Sequence, residues 1–218
     1  MDESERDLRV AIVEKACWMN ESGLNQGTSG NISARSGDTM LITPTAIPYE
    51  TMQPSMIASM PFEGKYGAWE GPLPPSTEWR FHLDLMKGRQ DVAAIVHTHS
   101  TFATVLGIAR KKIPACHYMV AVFGGSDVRV ADYATYGTKE LAENVVRAMQ
   151  GRNGCLIANH GMIAAGKDLD HAMWLAVELE TLAKQYYHSL LIGGPVILPD
   201  SAIDDTRRSM DGYGLAER

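Results

Sequence analysis

The order of short apolar segments and helical segments is the feature that most restricts the fold of this chain. Strands are predicted close together in sequence at residues 32–35 and 40–43, and again at 155–159 and 162–165. The first two are separated by Gly37-Asp38, a pair typical of hairpin turns. Helices are interspersed, but they do not follow each strand in turn. The pattern therefore predicts a mixed or antiparallel sheet between layers of helices.

Helical spacing of apolar residues predicts long helices over residues 4–22, from 76 to about 87, 137–150 and 168–192. Ser76 is the candidate N-cap of the second of these helices. A further buried strand is predicted over 93–97, and residues 117–123 are also predicted to form a strand. The chain from Gly193 onward is weakly patterned.

Composition excludes several classes of protein. The 218 residues carry a net charge of −6 and no basic run, which argues against non-specific nucleic-acid binding. No apolar stretch approaches the roughly 20 residues of a membrane-spanning helix, and the acidic start is unlike a signal peptide. The three cysteines are odd in number and far apart, so no disulfide framework is indicated. We therefore expect a soluble, cytoplasmic, single-domain protein with no nucleic-acid or membrane partner.

The sharpest local motif is Val96-His97-Thr98-His99, which ends the apolar strand at 93–97. Side chains at i and i+2 of a strand point to one face, so the two imidazoles should converge. Such a pair is a natural start for a metal site. Two hydrogen-bonded histidines at a strand end remain the alternative, and a metal would need a third ligand from elsewhere.

That third ligand has five histidine candidates. His160 is favoured by its position at a break between two apolar strands, where Gly161 allows a sharp turn. The two in the last long helix are expected at its surface or flank, and another lies one turn after Glu78. The candidates are His82, His117, His160, His171 and His188.

Glu78 is the nearest plausible carboxylate, and it opens a predicted helix. It either compensates the helix dipole or performs acid–base chemistry beside a metal. The turn 27–31, Gly-Thr-Ser-Gly-Asn, offers backbone N–H groups and hydroxyls for an anion, although a plain connecting loop has the same composition. Hydroxyl groups that could join it belong to Thr43, Thr45, Ser76 and Thr77.

Taken together, these motifs resemble the class II aldolase/adducin family, and most closely its L-fuculose-1-phosphate aldolase branch. The resemblance spans nearly the whole chain and keeps the order and spacing of the motifs. The matching segments are LNQGTSGNISAR (24–35), MLITPTAIPYE (40–50), LPPSTEWRFH (73–82), AIVHTHS (94–100), IPACHYMV (113–120), DYATYGT (132–138), NHGMIA (159–164) and AMWLAVELETLAKQYY (172–187).

The resemblance implies a role for each matching position. His97, His99 and His160 correspond to zinc ligands, and Glu78 to a catalytic glutamate at the metal. Tyr118 corresponds to a proton-transferring tyrosine, and Tyr213 to a tyrosine of a mobile tail that closes over the site. The substrate phosphate would be held by Thr28, Gly30, Asn31, Thr43, Thr45, Ala46, Ser76 and Thr77.

The same resemblance implies a fold and an activity. We expect one α/β domain over residues 1–218, with a central, largely antiparallel sheet flanked by helices and a mobile tail from about residue 200. The expected reaction is zinc-dependent, reversible cleavage of a ketose 1-phosphate to dihydroxyacetone phosphate and an aldehyde, with Mn²⁺ or Co²⁺ as alternative metals. L-fuculose 1-phosphate and related 5-deoxy- or 5-methylthio-ketose 1-phosphates are the candidate substrates. Family members are usually homotetramers with sites at subunit interfaces.

Three positions depart from the family pattern, and two other functions stay open. Ala46 stands where the phosphate loop usually has glycine, Thr77 where a second serine is frequent, and Tyr136 where phenylalanine is common. Tyr136 is expected on the aldehyde side of the pocket, which sets substrate choice. The segment His97-Thr98-His99-Ser100 is similar to that of the L-ribulose-5-phosphate 4-epimerases. A non-enzymatic adducin-like binding module is the third hypothesis.

Overall fold

Eight strands form one sheet in the computed structural model, which describes residues 2–210. The strand order is β3-β2-β1-β4-β8-β7-β6-β5, and only the β6–β7 pair is parallel. The predicted α/β fold with a largely antiparallel central sheet is therefore confirmed. The strands are β1 (Asn31–Ser36), β2 (Thr39–Ile42), β3 (Ala58–Pro61), β4 (Ala94–Thr98), β5 (Ile113–Pro114), β6 (Asp127–Ala131), β7 (Gly154–Ile157) and β8 (Gly161–Gly166).

Helices cover both faces of the sheet. One face packs against α1, α3 and α5, and the other against α2 and α4. None of the helices within residues 2–210 is long and apolar enough to span a bilayer. The helices are α1 (Glu3–Glu21), α2 (Trp79–Gly88), α3 (Thr101–Ile108), α4 (Lys139–Ala148), α5 (Leu169–Leu191) and α6 (Asp200–Met210).

Strand β4 lies in the middle of the sheet and is buried on both faces. Ile95 packs into the core under α2 and α4, whereas Val96 packs into the core under α1, α3 and α5. A strand covered on both sides has no solvent-facing positions, which is why β4 is a continuous apolar run until His97. A polar residue at this depth needs partners, and His97 begins the polar end of the strand.

The start of the second helix differs from the prediction. The helix begins at Trp79, and Glu78, rather than Ser76, is its N-cap residue. The Ser76 hydroxyl instead accepts a hydrogen bond of 3.3 Å from the Glu78 N–H, so it shapes the turn before the helix. The Glu78 carboxylate therefore lies at the N-terminus of α2.

The strand predicted over residues 117–123 is wrong, because Tyr118–Phe123 forms a 3₁₀ helix. The His117 side chain accepts a hydrogen bond from the Met119 N–H, and Gly124 ends the segment in a left-handed conformation. These local bonds override the β-propensity of a Val-rich sequence.

Helix α6 was not predicted, because only one of its residues, Ile203, is buried and so supplies almost no apolar periodicity. Ile203 packs with Ala121 of the 3₁₀ helix. The tail expected to be mobile from about residue 200 therefore begins with a helix that contacts the domain. Tyr213 lies outside the described residues.

Candidate metal and substrate site

His97 and His99 converge at the end of β4. Nδ1 of His97 is 2.9 Å from the carbonyl oxygen of Met162 in β8. Because a carbonyl only accepts, this nitrogen carries the proton, and the lone pair of Nε2 points away from β8. That Nε2 lies 3.2 Å from Nε2 of His99. Two imidazole edges thus face one small volume.

His160 joins them from the turn between β7 and β8. Its ring centroid is 5.0 Å from that of His97 and 4.8 Å from that of His99. The turn is tight, since Asn159 has a φ of 51°, which asparagine tolerates better than most residues. A side chain at Gly161 would overlap the Thr98 carbonyl and lie 2.9 Å from the His99 ring, so glycine is required there.

The Glu78 carboxylate, at the N-terminus of α2, joins the three histidines as the fourth member of the group. Oε2 lies 3.2 Å from Nε2 of His97, and Oε1 lies 3.1 Å from Nε2 of His160. Oε1 is buried and makes no hydrogen bond within the described part of the chain. One ligand atom from each of these four residues lies within 4.8 Å of all the others.

These residues fit a divalent metal ion by their chemistry and spacing. With Nδ1 of His97 protonated, its Nε2 presents a lone pair to other basic atoms, an arrangement that a cation stabilises. Tetrahedral zinc with nitrogen ligands at about 2.0–2.1 Å sets ligand atoms about 3.3 Å apart. The three separations of 3.1–3.2 Å are close to that value. Imidazole and carboxylate ligands suit zinc and its first-row neighbours.

The electrostatics of the group favour an ionised Glu78 beside a neutral His99. Burial alone would raise the pKa of Glu78, but the attraction of His97 and His160 outweighs burial and holds the pKa below its usual range. Burial, reinforced by His97 and His160, lowers the pKa of His99 to about 4. A neutral imidazole is the form that binds a metal.

A cavity of about 390 Å³ opens beside Glu78, His99 and His160. It contains most of the residues predicted to hold a phosphate. Thr43 is the exception, because it is buried and its hydroxyl accepts a hydrogen bond of 3.2 Å from the Ile32 N–H. The lining residues are Thr28, Ser29, Gly30, Asn31, Pro44, Thr45, Ala46, Ser76, Thr77, Glu78, His99, Tyr133, Ala134, Tyr136, Asn159 and His160.

Two residues that were not singled out from the sequence hold the loop at 27–31. The Tyr49 hydroxyl donates to the carbonyl oxygen of Gly30 at 2.8 Å, and it lies 3.1 Å from that of Ser29. Asn25 accepts a hydrogen bond of 3.3 Å from the His99 N–H, which connects the loop to the candidate metal-binding group. A Cβ on Gly30 would lie 2.8 Å from Oδ1 of Asn25. Tyr49 and Asn25 both lie in segments that match the family motifs, and this was the only sequence signal that could have pointed to them.

Asn31 is linked to Glu78 and to a buried histidine. Its Nδ2 donates to Oε2 of Glu78 at 3.0 Å, and its Oδ1 is 2.5 Å from Nε2 of His82. His82, one of the five candidate metal ligands, therefore lies behind the site, with Nδ1 2.7 Å from the hydroxyl of Ser33. No sequence pattern indicated the role of Ser33.

The other candidate histidines are not part of the group. His171 and His188 both lie on α5. His171 stacks on Trp174 of the same helix, and His188 packs against Phe102 of α3. Nδ1 of His117 accepts from the backbone of Met119. The four-residue group therefore takes its third imidazole from His160.

The three departures from the family pattern all lie at the cavity. Ala46 has a φ of 58°, the left-handed conformation that favours glycine. Thr77 and Tyr136 also line the cavity, and Tyr136 is largely exposed. Tyr133 also lines the cavity and is about half exposed, so two tyrosines border it.

Tyr118 is not brought to this cavity within its own chain. Its side chain is 49% exposed, and its ring packs at a tilt against the ring of His117, 4.7 Å away between centroids. It starts the 3₁₀ helix that α6 covers.

Comparison with known proteins gives consistent results. Residues 10–187 match the family model described as Class II Aldolase and Adducin N-terminal domain. A 5-methylthioribulose-1-phosphate/5-deoxyribulose-1-phosphate aldolase of Rhodospirillum rubrum is 46% identical over 95% of this chain and 92% of its own. An L-fuculose phosphate aldolase of Escherichia coli is 44% identical over 95% and 96% of the two chains. A solved L-fuculose 1-phosphate aldolase superposes with a TM-score of 0.89 at 41% identity, covering 94% of this chain and 96% of its own.

Proposed function

Because the chain belongs to the class II aldolase and adducin family, we propose that it is a zinc-dependent aldolase that reversibly cleaves a ketose 1-phosphate to dihydroxyacetone phosphate and an aldehyde. The observation that carries the proposal is the group of three imidazoles and one carboxylate at the edge of a cavity with hydroxyl and backbone donors. An adducin-like binding module would have no use for this group.

Zinc would be held by His97, His99, His160 and Glu78. Bound there, it supplies a Lewis acid that stabilises negative charge on the ketose oxygens. The carbonyl of Met162 holds the proton of His97 on Nδ1, so Nε2 is the nitrogen that would bind the metal.

Glu78 is the proposed acid–base group. Cleavage moves the electron pair of the C3–C4 bond onto the dihydroxyacetone phosphate half, and C3 must then be protonated. Oε2 accepts a hydrogen bond from the Asn31 amide, whereas Oε1 makes no hydrogen bond with any described residue. Oε1 is therefore the atom we assign to carry the proton to C3.

The phosphate of the substrate would lie against the loop at 27–31 and the turn before α2. Thr28, Thr45, Ser76 and Thr77 offer hydroxyl groups at the cavity. The N-terminus of α2 adds the positive end of a helix dipole, which favours an anion without a lysine or arginine. This contact positions the substrate away from the reacting bond.

Tyr118 is proposed to accept the proton of the C4 hydroxyl as the aldehyde forms. Because it lies outside the cavity of its own chain, it would serve the site of a neighbouring subunit in a homotetramer. Tyr213 is proposed to close over the same site from the tail. The cytoplasmic location stays a prediction from the sequence.

The aldehyde half of the substrate would meet Tyr136 and Tyr133. L-fuculose 1-phosphate and 5-deoxy- or 5-methylthioribulose 1-phosphates differ in the group carried at this end. Aromatic walls accept apolar groups such as a methyl or methylthio group, whose burial favours binding.

The test is release of dihydroxyacetone phosphate, coupled to NADH oxidation, from these ketose 1-phosphates and L-rhamnulose 1-phosphate, with and without a chelator. We expect release that the chelator abolishes and zinc restores. Glu78→Gln should lose about 10²–10⁴-fold in kcat with zinc still bound. Glu143→Gln, which alters an exposed carboxylate on α4, should keep wild-type activity.

The epimerase hypothesis rests on the segment His97-Thr98-His99-Ser100 and predicts a different product. Formation of D-xylulose 5-phosphate from L-ribulose 5-phosphate, without aldehyde release from any ketose 1-phosphate, would replace the aldolase proposal. Near-normal turnover by Glu78→Gln would refute the role given to Glu78.

A further inference from the structure

A chain of hydrogen bonds runs from the interior of the protein to the Glu78 carboxylate. It begins at the hydroxyl of Ser33 in β1 and passes through the imidazole of His82 in α2. It then crosses the side-chain amide of Asn31 and ends on Oε2 of Glu78. All four residues are buried, and the side chains of Ser33 and His82 are completely inaccessible to solvent.

The chemistry of each group fixes the direction of the whole chain. An ionised carboxylate can only accept, so the NH₂ group of Asn31 must face Glu78 and its Oδ1 must face His82. Oδ1 in turn accepts, so Nε2 of His82 carries the proton. Nδ1 then has only a lone pair, and the Ser33 hydroxyl donates to it.

The surroundings keep His82 neutral, as this arrangement requires. Burial first, and then the nearby His97, lower the pKa of His82 to about 3. Its ring also stacks on Phe81, with centroids 4.7 Å apart, so the ring plane is fixed. A neutral, fixed imidazole with one defined tautomer can act as a rigid link.

We infer that His82 and Ser33 are positioning residues for the proton transfer proposed for Glu78. By fixing the amide of Asn31 with its NH₂ toward Oε2, they set the rotation of the carboxylate, so that Oε1 is directed toward His160 and receives no hydrogen bond from a described residue. With the opposite tautomer, Asn31 would turn its oxygen toward the carboxylate, and the two would repel. This inference rests on the proposed aldolase function, but the tautomer can be measured independently of it.

Outer partners of a metal site commonly change activity or metal affinity by about 10–100-fold when removed. We therefore expect His82→Leu to lower kcat by about 10–100-fold, with the KM of the ketose phosphate and the zinc content near wild type. His82→Gln places an amide N–H near the position of Nε2 and should stay within a few-fold of wild-type kcat. A structural role alone would predict that both variants lose activity in proportion to lost stability.

Ser33 provides a second pair of variants. Ser33→Ala removes the donor to Nδ1, so it should give a mixture of His82 tautomers and a kcat between those of the wild type and His82→Leu. Ser33→Thr keeps the hydroxyl and should preserve both the tautomer and kcat. Long-range ¹H–¹⁵N spectra of protein labelled at histidine report the tautomer directly, with His82→Gln assigning the signal.

The outcomes separate this inference from the proposed function. Wild-type His82 with its proton on Nδ1 overturns the inference, whatever the enzyme does. Unchanged kcat in His82→Leu does the same. A wild-type enzyme silent on every ketose 1-phosphate refutes the proposed function, while the spectra still decide the direction of the hydrogen-bond chain. If His82→Leu does not fold, the Ser33 pair and the spectra remain decisive.

Discussion

Removing the hydroxyl of Tyr49 is the sharpest test of how the loop at 27–31 is held. Tyr49 is 2% exposed. Tyr49→Phe removes only its hydroxyl oxygen and keeps the ring, so the substitution leaves almost no cavity. The carbonyl of Gly30 loses its donor at 2.8 Å. The carbonyl of Ser29 keeps the bond from the Asn25 amide, so one acceptor rather than two is left without its partner.

An unsatisfied acceptor at a buried site costs about 1–3 kcal/mol, and the partial exposure of Gly30 places the expected loss at about 1–2 kcal/mol. For a chain of this size, that lowers Tm by about 2–8 °C. A looser loop should also raise the KM of the ketose phosphate, by up to about 10-fold if 1.4 kcal/mol of loop ordering is transferred to binding. The kcat should change less, because the four residues of the candidate metal-binding group are unchanged.

The assay combines urea unfolding with steady-state kinetics, and Tyr66→Phe is the matched control. The Tyr66 hydroxyl bonds to Asp84 at the surface, 3.0 Å away, so its loss should cost no more than about 0.5 kcal/mol and leave KM unchanged. Equal stability and equal KM for Tyr49→Phe and wild type would show that the Tyr49 hydroxyl does not hold the loop. Equal effects of the two substitutions would point to a general effect of losing a phenol.

Three further predictions follow from the geometry. Ala46→Gly should raise the free energy of unfolding by about 0.5–1 kcal/mol in urea titrations, because it relieves a φ of 58°; a loss of stability would contradict this. The pKa of His82 is lowered to about 3 in the folded protein, so the unfolded chain binds the proton more readily. The contribution of His82 to the free energy of unfolding is therefore fully present above about pH 6.5. Below that pH it falls by at most about 1.4 kcal/mol per pH unit. That component should be missing from unfolding curves of His82→Gln. Co-expression of Tyr118→Phe with Glu78→Gln should give mixed oligomers with more activity than either variant alone, whereas no recovery would place both residues in one subunit's site.

Most of the fold could be predicted because its elements carry local signals. The long helix α5 has a regular apolar stripe, and β4 is an uninterrupted apolar run. The failures occurred where tertiary contacts or local caps decide the structure. The segment at 118–123 has strand-like composition but is bent into a 3₁₀ helix, and α6 contributes a single buried residue.

The candidate site was predictable to a similar depth. His97, His99, His160 and Glu78 could be proposed because metal ligands are chemically distinctive, and the structure places them in one group. The supporting residues could not, because a buried serine, tyrosine or asparagine has no signature until its hydrogen-bond partner is known. Ser33 lies 49 positions from His82 in sequence, and only the pairing of sheet and helix brings them together.

The pairing of β4 with its two neighbours has a consequence for how the site is acquired during folding. His97 is opposite Asn31 on β1 and Ile163 on β8. Side chains of a strand alternate between faces, so a slip of one residue would exchange the direction of His97 with that of Val96. A chain paired out of register would have no complete set of ligands. If the proposed site binds zinc, uptake of zinc by a refolding chain would therefore report that β1, β4 and β8 are paired in the correct register.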